Sequence, residues 1–319
     1  MLADLINRIN EKPPTILVVG DLMLDKFIFG SVARISPEAP VPIVKLEKEE
    51  QMLGGSGNVI RNLSNLGIKT SLCSVVGKDL AGDLLLSQLT KKSTNISNVL
   101  KLNNIRTTEK MRIVADGQQI ARVDWDMNNL EVDFNDDLIK NIAAHIKEID
   151  GVIISDYGKG ICSEVFLKKV IKILNERNIP IFVDPKGSDW DKYQHVNLIT
   201  PNIQEAEIIL GEKLENDEAF EMAGEKICST FDIEACLITR GGDGMSFYGK
   251  NNTFHLKSEA KEIFDVSGAG DTVISAMAAG LIMDLSYEQA AEFSNHAAGI
   301  VVGHIGTSAI TIQELLNLN

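Results

Sequence analysis

The sequence predicts an α/β protein of three layers, in which a mostly parallel central sheet is covered by helices and carries a small β lid. Three observations lead to this prediction. Short apolar runs of strand length recur along the 319 residues, segments of helical period separate most of them, and two polar-faced stretches interrupt the alternation. Strands that are apolar throughout are typical of a parallel sheet buried on both faces.

The chain opens with a short helix and the first buried strand. Apolar residues recur at helical spacing at positions 2, 5, 6 and 9, before Pro13 and Pro14, and residues 15–20 form a continuous apolar run. Comparable runs follow at residues 71–76, 151–155, 179–184, 196–200 and 235–239. We expect each run to be a strand of the central sheet.

Two stretches, residues 26–50 and 106–126, break the alternation. Within the second, residues 110–114 and 119–124 flank the turn-like pair Asp116 and Gly117, which is typical of a hairpin. We expect antiparallel strands that together form the lid. Because no low-complexity segment or long linker divides the chain, we expect one domain over residues 1–319.

Two apolar helices are predicted in the last quarter, at residues 271–283 and 287–302, and the second ends near Gly303. Apolar and small residues cover every face of the first, so we expect it to be buried.

The composition excludes several classes of function. A formal net charge of −14 argues against a surface that neutralises nucleic-acid phosphates. No apolar stretch reaches the roughly 18 residues expected of a membrane-spanning helix, and residues 1–14 lack the pattern of a signal peptide. We expect a cytoplasmic protein that binds neither nucleic acid nor membrane.

Cysteine and histidine spacing does not indicate a disulfide framework or a zinc site. The four cysteines form no C-x-x-C pair, and the five histidines show no zinc-binding spacing. We expect buried free thiols, and any metal is expected to be an oxygen-bound Mg²⁺.

The strongest chemical signal lies just before the first apolar helix. The amides of Gly268, Ala269 and Gly270, together with the helix dipole, would converge on one point and suit an anion. Asp271 would lie in the first turn, where the positive helix end favours its ionised form and where it could accept a proton from a hydroxyl. The same string also fits a glycine turn with a helix cap.

Two further motifs could hold a polar ligand. Gly54 and Gly55 lead into a helix that carries Asn58, whose amide can both donate and accept hydrogen bonds. Asp21 and Asp25 follow the first strand, at the edge where open α/β sheets bind ligands, and could hold sugar hydroxyls. Taken alone, the glycine motif is more often a flexible turn, and aspartate at a strand end is also a common turn former.

Two more motifs suit a nucleotide and its metal. Thr239, Gly241 and Gly244 follow a predicted strand and could pass around a nucleotide, or form a hairpin turn. Asn202 and Glu205 stand one helical turn apart, suited to holding Mg²⁺ through water or to capping a helix.

These motifs, in this order, resemble those of the PfkB, or ribokinase-like, carbohydrate kinases over essentially the whole chain. The resemblance lies in the glycine-rich signature at residues 54–58 and the D-x-x-G-A-G-D signature at residues 265–271. It implies that Mg-ATP is used and that the protein forms a homodimer through the lid. One departure is Val266, where many members have threonine, but the proposed base and anion hole are intact.

The resemblance also implies a role for each motif residue. Asp271 would be the general base, and Gly268, Ala269 and Gly270 would form the anion hole. The nucleotide would contact Asn202, Glu205, Thr239, Gly241, Gly244 and Asn295, with Glu205 reaching Mg²⁺ through water. The sugar would contact Asp21, Asp25, Gly54, Gly55 and Asn58.

Within the family, the closer resemblance is to kinases of heptose 7-phosphate, through residues 20–25, 34–42, 155–160, 184–187 and 301–308. It implies transfer of the ATP γ-phosphoryl group to the anomeric hydroxyl of D-glycero-β-D-manno-heptose 7-phosphate. The 1,7-bisphosphate would serve ADP-heptose and lipopolysaccharide core synthesis. The candidates for the substrate phosphate are Arg34, Lys110, Arg112, Arg122 and Lys186, and Lys186 is favoured because it lies in a tight turn after a strand.

Four alternatives to this interpretation are kept open or set aside. Phosphorylation of another sugar or sugar phosphate fits the catalytic motifs equally well, and a sugar-phosphate-binding regulator would bind without consuming ATP. A P-loop kinase and a protein kinase are disfavoured because their motifs are absent. Residues 304–307 do not match the H-x-G-H motif of a fused nucleotidyltransferase, so we expect a kinase alone.

Overall fold

The fold consists of two sheets and the helices that cover them. A computed structural model of the chain describes residues 2–127, 135–304, 306 and 308–317. The strands are β1 Thr15–Gly20, β2 Leu22–Ile35, β3 Pro42–Gly55, β4 Lys69–Gly77, β5 Asn95–Leu102, β6 Thr108–Ala115, β7 Gln118–Trp125, β8 Gly151–Ser155, β9 Ile181–Asp184, β10 Leu198–Ile199, β11 Ala235–Thr239, β12 Met245–Gly249 and β13 Asn252–Leu256. The α-helices are α1 Leu2–Glu11, α2 Ser56–Asn65, α3 Leu80–Lys91, α4 Asn135–His145, α5 Glu164–Asn175, α6 Ile203–Leu210, α7 Asp217–Phe231, α8 Ala269–Ile282, α9 Tyr287–Val301 and α10 Ile312–Asn317.

The larger sheet has nine strands in the order β13-β12-β11-β10-β9-β8-β1-β4-β5. From β11 to β5 neighbouring strands pair in parallel, whereas β12 and β13 form an antiparallel end. The carboxyl ends of β1, β8 and β9 therefore meet at one edge. This edge is where open parallel sheets bind ligands.

Helices cover both faces of this sheet, as the alternation of side chains along β1 shows. Ile16 and Val18 pack into one apolar cluster with α2, α8 and α9, and Leu17 and Val19 pack into a second with α4, α5 and α7. Because successive strand residues point to opposite faces, the sheet is the middle of three layers. The α/β fold with a mostly parallel central sheet is confirmed.

The lid is a separate four-stranded sheet in the order β3-β2-β6-β7. The predicted hairpin is present, since β6 and β7 pair antiparallel around Asp116 and Gly117, both of which have positive φ. The two hairpins are joined by a parallel pairing of β2 with β6, so the expectation of antiparallel strands alone was wrong at this seam. A crossover through residues 56–107 separates β3 from β6 and makes the parallel pairing possible.

The lid strands extend beyond the predicted stretch 26–50. β2 begins directly after Asp21, and β3 ends at Gly55. The buried side chains of Leu22, Leu24 and Leu53 belong to the core cluster, which explains why their segment looks like core in the sequence. The lid and the ligand-binding edge are thus joined by a continuous backbone.

Candidate active site

Carboxylates from four elements meet at the carboxyl edge of the large sheet. Asp21 follows β1, Asp156 follows β8, Asp184 ends β9, and Asp271 lies in the first turn of α8. Asp21, Asp156 and Asp271 are at most 4% exposed. Buried carboxylates are costly unless hydrogen bonds satisfy them, so their partners define what this edge can do.

Asp271 is held by two donors from distant parts of the chain. The Asn58 side-chain amide donates to Oδ2 at 2.9 Å, and the Tyr157 hydroxyl donates to Oδ1 at 2.7 Å. Asn58 lies in the first turn of α2, immediately after the sharp backbone turn at Gly55, where φ is +58°. The structure therefore brings the two predicted glycine-rich motifs together on one carboxylate.

The ionisation of Asp271 differs from the sequence prediction. The positive end of α8 was expected to favour the charged form, but burial raises the pKa of the Asp271 carboxyl to about 6, while the hydrogen bonds from Asn58 and Tyr157 lower it. The effect of burial is larger because a carboxylate that is removed from water loses more free energy than the helix dipole restores. A pKa near neutrality suits a group that takes up a proton during turnover.

The first turn of α8 offers free amides beside this carboxylate. Gly268, the N-cap, has a φ of +85°, a left-handed conformation that glycine adopts readily. The Ala269 amide already donates to the Val266 carbonyl oxygen at 3.2 Å, so it is unsuited to the predicted anion hole. Within the described residues no hydrogen bond occupies the amides of Gly270 and Asp271, which therefore remain available to an anion.

Asp21 has a different position from the one predicted for a sugar contact. Its carboxylate accepts hydrogen bonds from the backbone amides of Tyr157 at 2.9 Å, Lys159 at 3.0 Å and Ile161 at 3.3 Å. Burial, followed by the neighbouring Asp156, raises the pKa of Asp21 to about 6. Its oxygens fix the loop after β8, and a direct sugar contact stays a prediction.

Asp25 lies where the lid meets the edge and is surrounded by cations. Arg112 of β6 donates to its Oδ1 at 2.9 Å, and the side chains of this pair are only 15% and 6% exposed. Gly54 packs against the Asp25 carboxylate so closely that a Cβ at position 54 would overlap it. The predicted pair Asp25 and Gly54 is thus one structural unit.

Two further cations lie near Asp25. Arg61 is within electrostatic reach of Asp25 and Asp271, and Lys110 is within reach of Asp25, Arg112 and Lys159. Burial is the largest cause that lowers the pKa of the Lys110 ammonium. The nearby cations Lys159 and Arg112 lower this pKa further, and the Asp25 carboxylate raises it. We call Arg61, Lys110, Arg112 and Lys159 the lid-side cation cluster. Cations held this close together favour a ligand that carries more than one negative charge.

Two of the residues predicted to bind the substrate phosphate lie elsewhere. Arg34 is exposed near the end of β2, nine residues beyond Asp25, or about 30 Å along an extended strand. Lys186 donates from Nζ to Glu205 Oε1 at 2.8 Å and so lies on the nucleotide side of the site. Of the candidates for the substrate phosphate, the structure places Arg112 and Lys110 in the cation cluster.

Asn202 and Glu205 form the capping box that was the alternative interpretation of their spacing. The Asn202 side chain accepts from the Glu205 amide at 2.9 Å, and Glu205 Oε2 accepts from the Asn202 amide at 3.1 Å. Asp184 lies close enough to both Glu205 and Asp271 that their charges raise its pKa, after burial as the larger cause. The carboxylate oxygens of Glu205 and Asp184 thus lie near Asp271, where they could bind a metal ion.

A cleft beside α8 brings the predicted nucleotide residues together. Thr239, Gly241, Gly244 and Asn295 line it with Gly270 at one end. Apolar side chains form its walls, and Ile263 and Val266 are 55% and 67% exposed. The Asn295 amide nitrogen donates to the Lys257 carbonyl at 2.7 Å and fixes one wall. The loop 240–244 is the β11–β12 hairpin turn, which was the alternative interpretation of this motif. Its contact with a nucleotide stays a prediction.

Gly244 is predicted to be essential to the shape of this cleft. Its φ is +98°, and a Cβ would overlap the Leu256 carbonyl oxygen. In Gly244→Ala the end of β13 must shift, so we expect the KM for ATP to rise about tenfold and stability to fall by about 1–3 kcal/mol. Steady-state kinetics and thermal melting check this.

Gly242→Ala is the matched control for stability, because a Cβ at position 242 meets nothing within 4 Å. Equal melting temperatures for the two variants would contradict the steric argument.

Several side chains at the site received no role from the sequence, among them Tyr157, Asp184 and Arg61. Tyr157 and Asp184 lie in stretches that carried the closer resemblance, which was the only signal available for them. Arg61 follows Asn58 by three residues on α2, and its Nη1 donates to Asn58 Oδ1 at 3.2 Å. The helical spacing of a polar pair would have pointed to it. Thr307, part of the 301–308 resemblance, lies outside the described residues.

Comparison with protein families and curated proteins gives consistent matches. The family model described as pfkB family carbohydrate kinase matches residues 14–314. The chain is 41% identical over 302 residues to the bifunctional protein HldE of Citrifermentans bemidjiense, covering 94% of this chain and 62% of that protein. It is 41% identical over 307 residues to the HldE of Histophilus somni, covering 95% and 63%. The chain thus spans less than two thirds of the length of these relatives.

Solved structures show the same fold at low identity. Arabidopsis thaliana ribokinase, complexed with ribose and ATP, matches with a TM-score of 0.78 at 19% identity, over 96% of this chain and 98% of that one. Phosphofructokinase-2 from Escherichia coli, in complex with potassium, matches with a TM-score of 0.79 at 18% identity over the same shares. The ribokinase-like fold with its lid is therefore shared.

Proposed function

The chain belongs to the pfkB family of carbohydrate kinases, and on that premise we propose that it phosphorylates a heptose 7-phosphate at the anomeric hydroxyl. The substrate would be D-glycero-β-D-manno-heptose 7-phosphate, and the product its 1,7-bisphosphate, used for ADP-heptose and lipopolysaccharide core synthesis. The observation that carries the proposal is the position of Asp271, between the glycine-lined cleft and the lid-side cation cluster.

The proposed reaction needs a base and an anion site at the same point. Asp271 takes the proton of the anomeric hydroxyl, and that oxygen forms a bond to the γ-phosphorus of ATP. The bond from this phosphorus to the β,γ-bridging oxygen breaks, and ADP leaves. The amides of Gly270 and Asp271 and the positive end of α8 stabilise the transferring group, since most of this catalysis is positioning and charge stabilisation.

The residues at the site fit a magnesium ion bound mainly by ATP. The described residues contain no cluster of three or more metal-binding side chains. Mg²⁺ that is bound with ATP takes several of its ligands from phosphate oxygens and water. Asp184 and Glu205 would hold the ion, Glu205 through water because its oxygens already contact Lys186 and Asn202. The ion supplies positive charge against the phosphates.

The lid-side cation cluster supports a substrate that already carries a phosphate. Arg112, Lys110 and Arg61 bring cations close to two carboxylates, Asp25 and Asp271. A neutral sugar would leave this charge facing hydroxyl groups, whereas a dianionic phosphate would be matched by it. Asn58 and Asp25 are then placed to orient the sugar between the phosphate and the base.

The pH dependence of the reaction follows from Asp271. Because the base must be ionised and the pKa of the Asp271 carboxyl is raised to about 6, kcat/KM should fall as the pH drops through about 6. The expected slope on the acid side is one. Steady-state measurements from about pH 5 to about pH 8 check this, and a rate that stays constant down to pH 5 would contradict it.

A substrate panel tests the proposed sugar. ADP release is measured with the heptose 7-phosphate, with ribose and with hexose phosphates, using parent protein and Asp271→Asn. Preference for the heptose supports the proposal, and preference for another sugar replaces it with the wider family activity. Tight sugar-phosphate binding without any ATP turnover would indicate a regulator instead.

The assembly and location are proposed on separate grounds. We propose a homodimer formed through the lid, because β7 is an edge strand exposed along nearly its whole length and Ile35, Leu46 and Ile120 are 59%, 59% and 39% exposed. Light scattering of the purified protein tests whether it is a dimer.

No helix among the described residues is long and apolar enough to cross a membrane. We place the reaction in the cytoplasm, where ATP is available.

A further inference from the structure

Tyr157 makes the shorter of the two described hydrogen bonds to the carboxylate of the proposed base, although its residue type gave no functional signal. Its hydroxyl lies 2.7 Å from Asp271 Oδ1, 0.2 Å closer than the Asn58 amide lies to Oδ2. Burial, followed by the charges of Asp271 and Asp184, raises the pKa of the Tyr157 phenol well above 10. The phenol therefore stays protonated and donates at every working pH.

The backbone of Tyr157 is fixed as firmly as its hydroxyl. Its amide donates to Asp21 Oδ2 at 2.9 Å, and Asp21 also binds the amides of Lys159 and Ile161. The ring lies under the lid, where the Lys110 ammonium is 5.4 Å from its centroid, a cation–π distance. The tyrosine is thus anchored below by Asp21 and contacted above by the lid strand β6.

Resting on the proposed function, we propose that Tyr157 is a positioning residue for Asp271. Its hydroxyl orients the carboxylate toward the substrate hydroxyl and stabilises the charged form that accepts the proton. Each carboxylate oxygen keeps one lone pair, since Oδ1 accepts from Tyr157 and Oδ2 from Asn58. The base is therefore held at both oxygens and remains able to accept.

The other groups that face Asp271 do not replace this contact. Asn58 donates to the opposite oxygen, and Arg61 and Lys110 act as nearby cations. Asp25 is a like charge that opposes the ionisation of Asp271. Without the phenol, the Asp271 carboxylate keeps Asn58 as its direct side-chain donor against this neighbouring carboxylate.

The test is Tyr157→Phe, which removes one oxygen and keeps the ring. Because the hydrogen bond favours the ionised base, its loss raises the pKa of Asp271 and moves the acid limb of kcat/KM to higher pH, by about one unit for a charge-assisted bond. The rate at the pH plateau should fall by less than the rate at pH 6, and the KM for ATP should not change.

Tyr193→Phe is the matched control. Its hydroxyl donates to Asp156 Oδ2 at 2.7 Å in a buried pair of the same chemistry, outside the groups assigned to catalysis. We expect it to lower the melting temperature and leave the acid limb in place. An acid limb that moves equally in both variants, or in neither, overturns the proposal.

A second measurement needs no turnover and so separates this inference from the choice of substrate. The carboxyl carbons of aspartate are labelled with ¹³C, and the Asp271 signal is identified by its loss in Asp271→Asn. Its titration midpoint should be higher in Tyr157→Phe than in the parent protein. An unchanged midpoint overturns the inference even where heptose kinase activity is present, whereas a shifted midpoint supports it even where the substrate proves to be another sugar.

Discussion

Asp271→Asn should lower kcat by about 10²- to 10⁴-fold, the range that a positioned general base contributes. The amide has nearly the shape of the carboxylate but cannot take a proton at neutral pH. The NH₂ group of the substituted side chain must also face a donor, either Asn58 or Tyr157, where the parent has a carboxylate oxygen. Initial rates of ADP release at saturating substrates measure the loss, and the KM for ATP should stay within about twofold because the cleft is untouched.

Asp284→Asn is the matched control for this substitution. Asp284 is exposed just after α8 and has a φ of +61°, which asparagine tolerates well. It should retain the parent rate. A folded Asp271→Asn variant with more than about a tenth of the parent kcat would remove Asp271 from the role of base.

Arg112→Met should raise the KM for a sugar phosphate by at least about 30-fold, since truncating one member of a buried charged contact costs about 2–5 kcal/mol. Arg112 belongs to the lid-side cluster and makes an ion pair with Asp25 at 2.9 Å. The methionine keeps most of the stem that packs on Phe27, where the guanidinium lies 5.1 Å from the ring centroid. Substrate titration at fixed ATP measures the effect.

The contrast between phosphorylated and unphosphorylated sugars makes this prediction specific. If Arg112 holds a phosphate, turnover of the sugar without its phosphate should change little in Arg112→Met. Arg177→Met, at an exposed position after α5, controls for the loss of one positive charge. Equal losses with both sugars would assign Arg112 to lid stability instead of phosphate binding.

The large sheet was largely predictable from sequence because its strands are buried on both faces. The apolar runs at 15–20, 151–155 and 235–239 match β1, β8 and β11 to the residue. The run at 196–200 contains only the two-residue strand β10. Its apolar residues indicate burial of the whole segment, but only part of the segment pairs with neighbouring strands. The parallel seam between β2 and β6 leaves no local signal.

The site was predictable where glycine and charge occur in motifs. Asn58 and Asp271 were each expected at a ligand site, and their separation of 213 residues is closed only by the fold. Lys186 was placed wrongly because a turn after a strand fixes the backbone but not the direction of a long flexible side chain. Tyr157 was missed because an aromatic residue beside a buried strand is typical of a core.

The parallel seam of the lid has a consequence for the order in which the protein folds. β2 and β3 are joined by a short connection and can pair early, but β2 meets β6 across 85 residues, as in the pair Met23 and Thr108. That loop contains α2, β4, α3 and β5, so closing it is entropically costly until those elements have packed on β1. The second hairpin of the lid therefore joins after β4, β5 and their helices have packed on β1, so this part of the large sheet forms before the lid is complete.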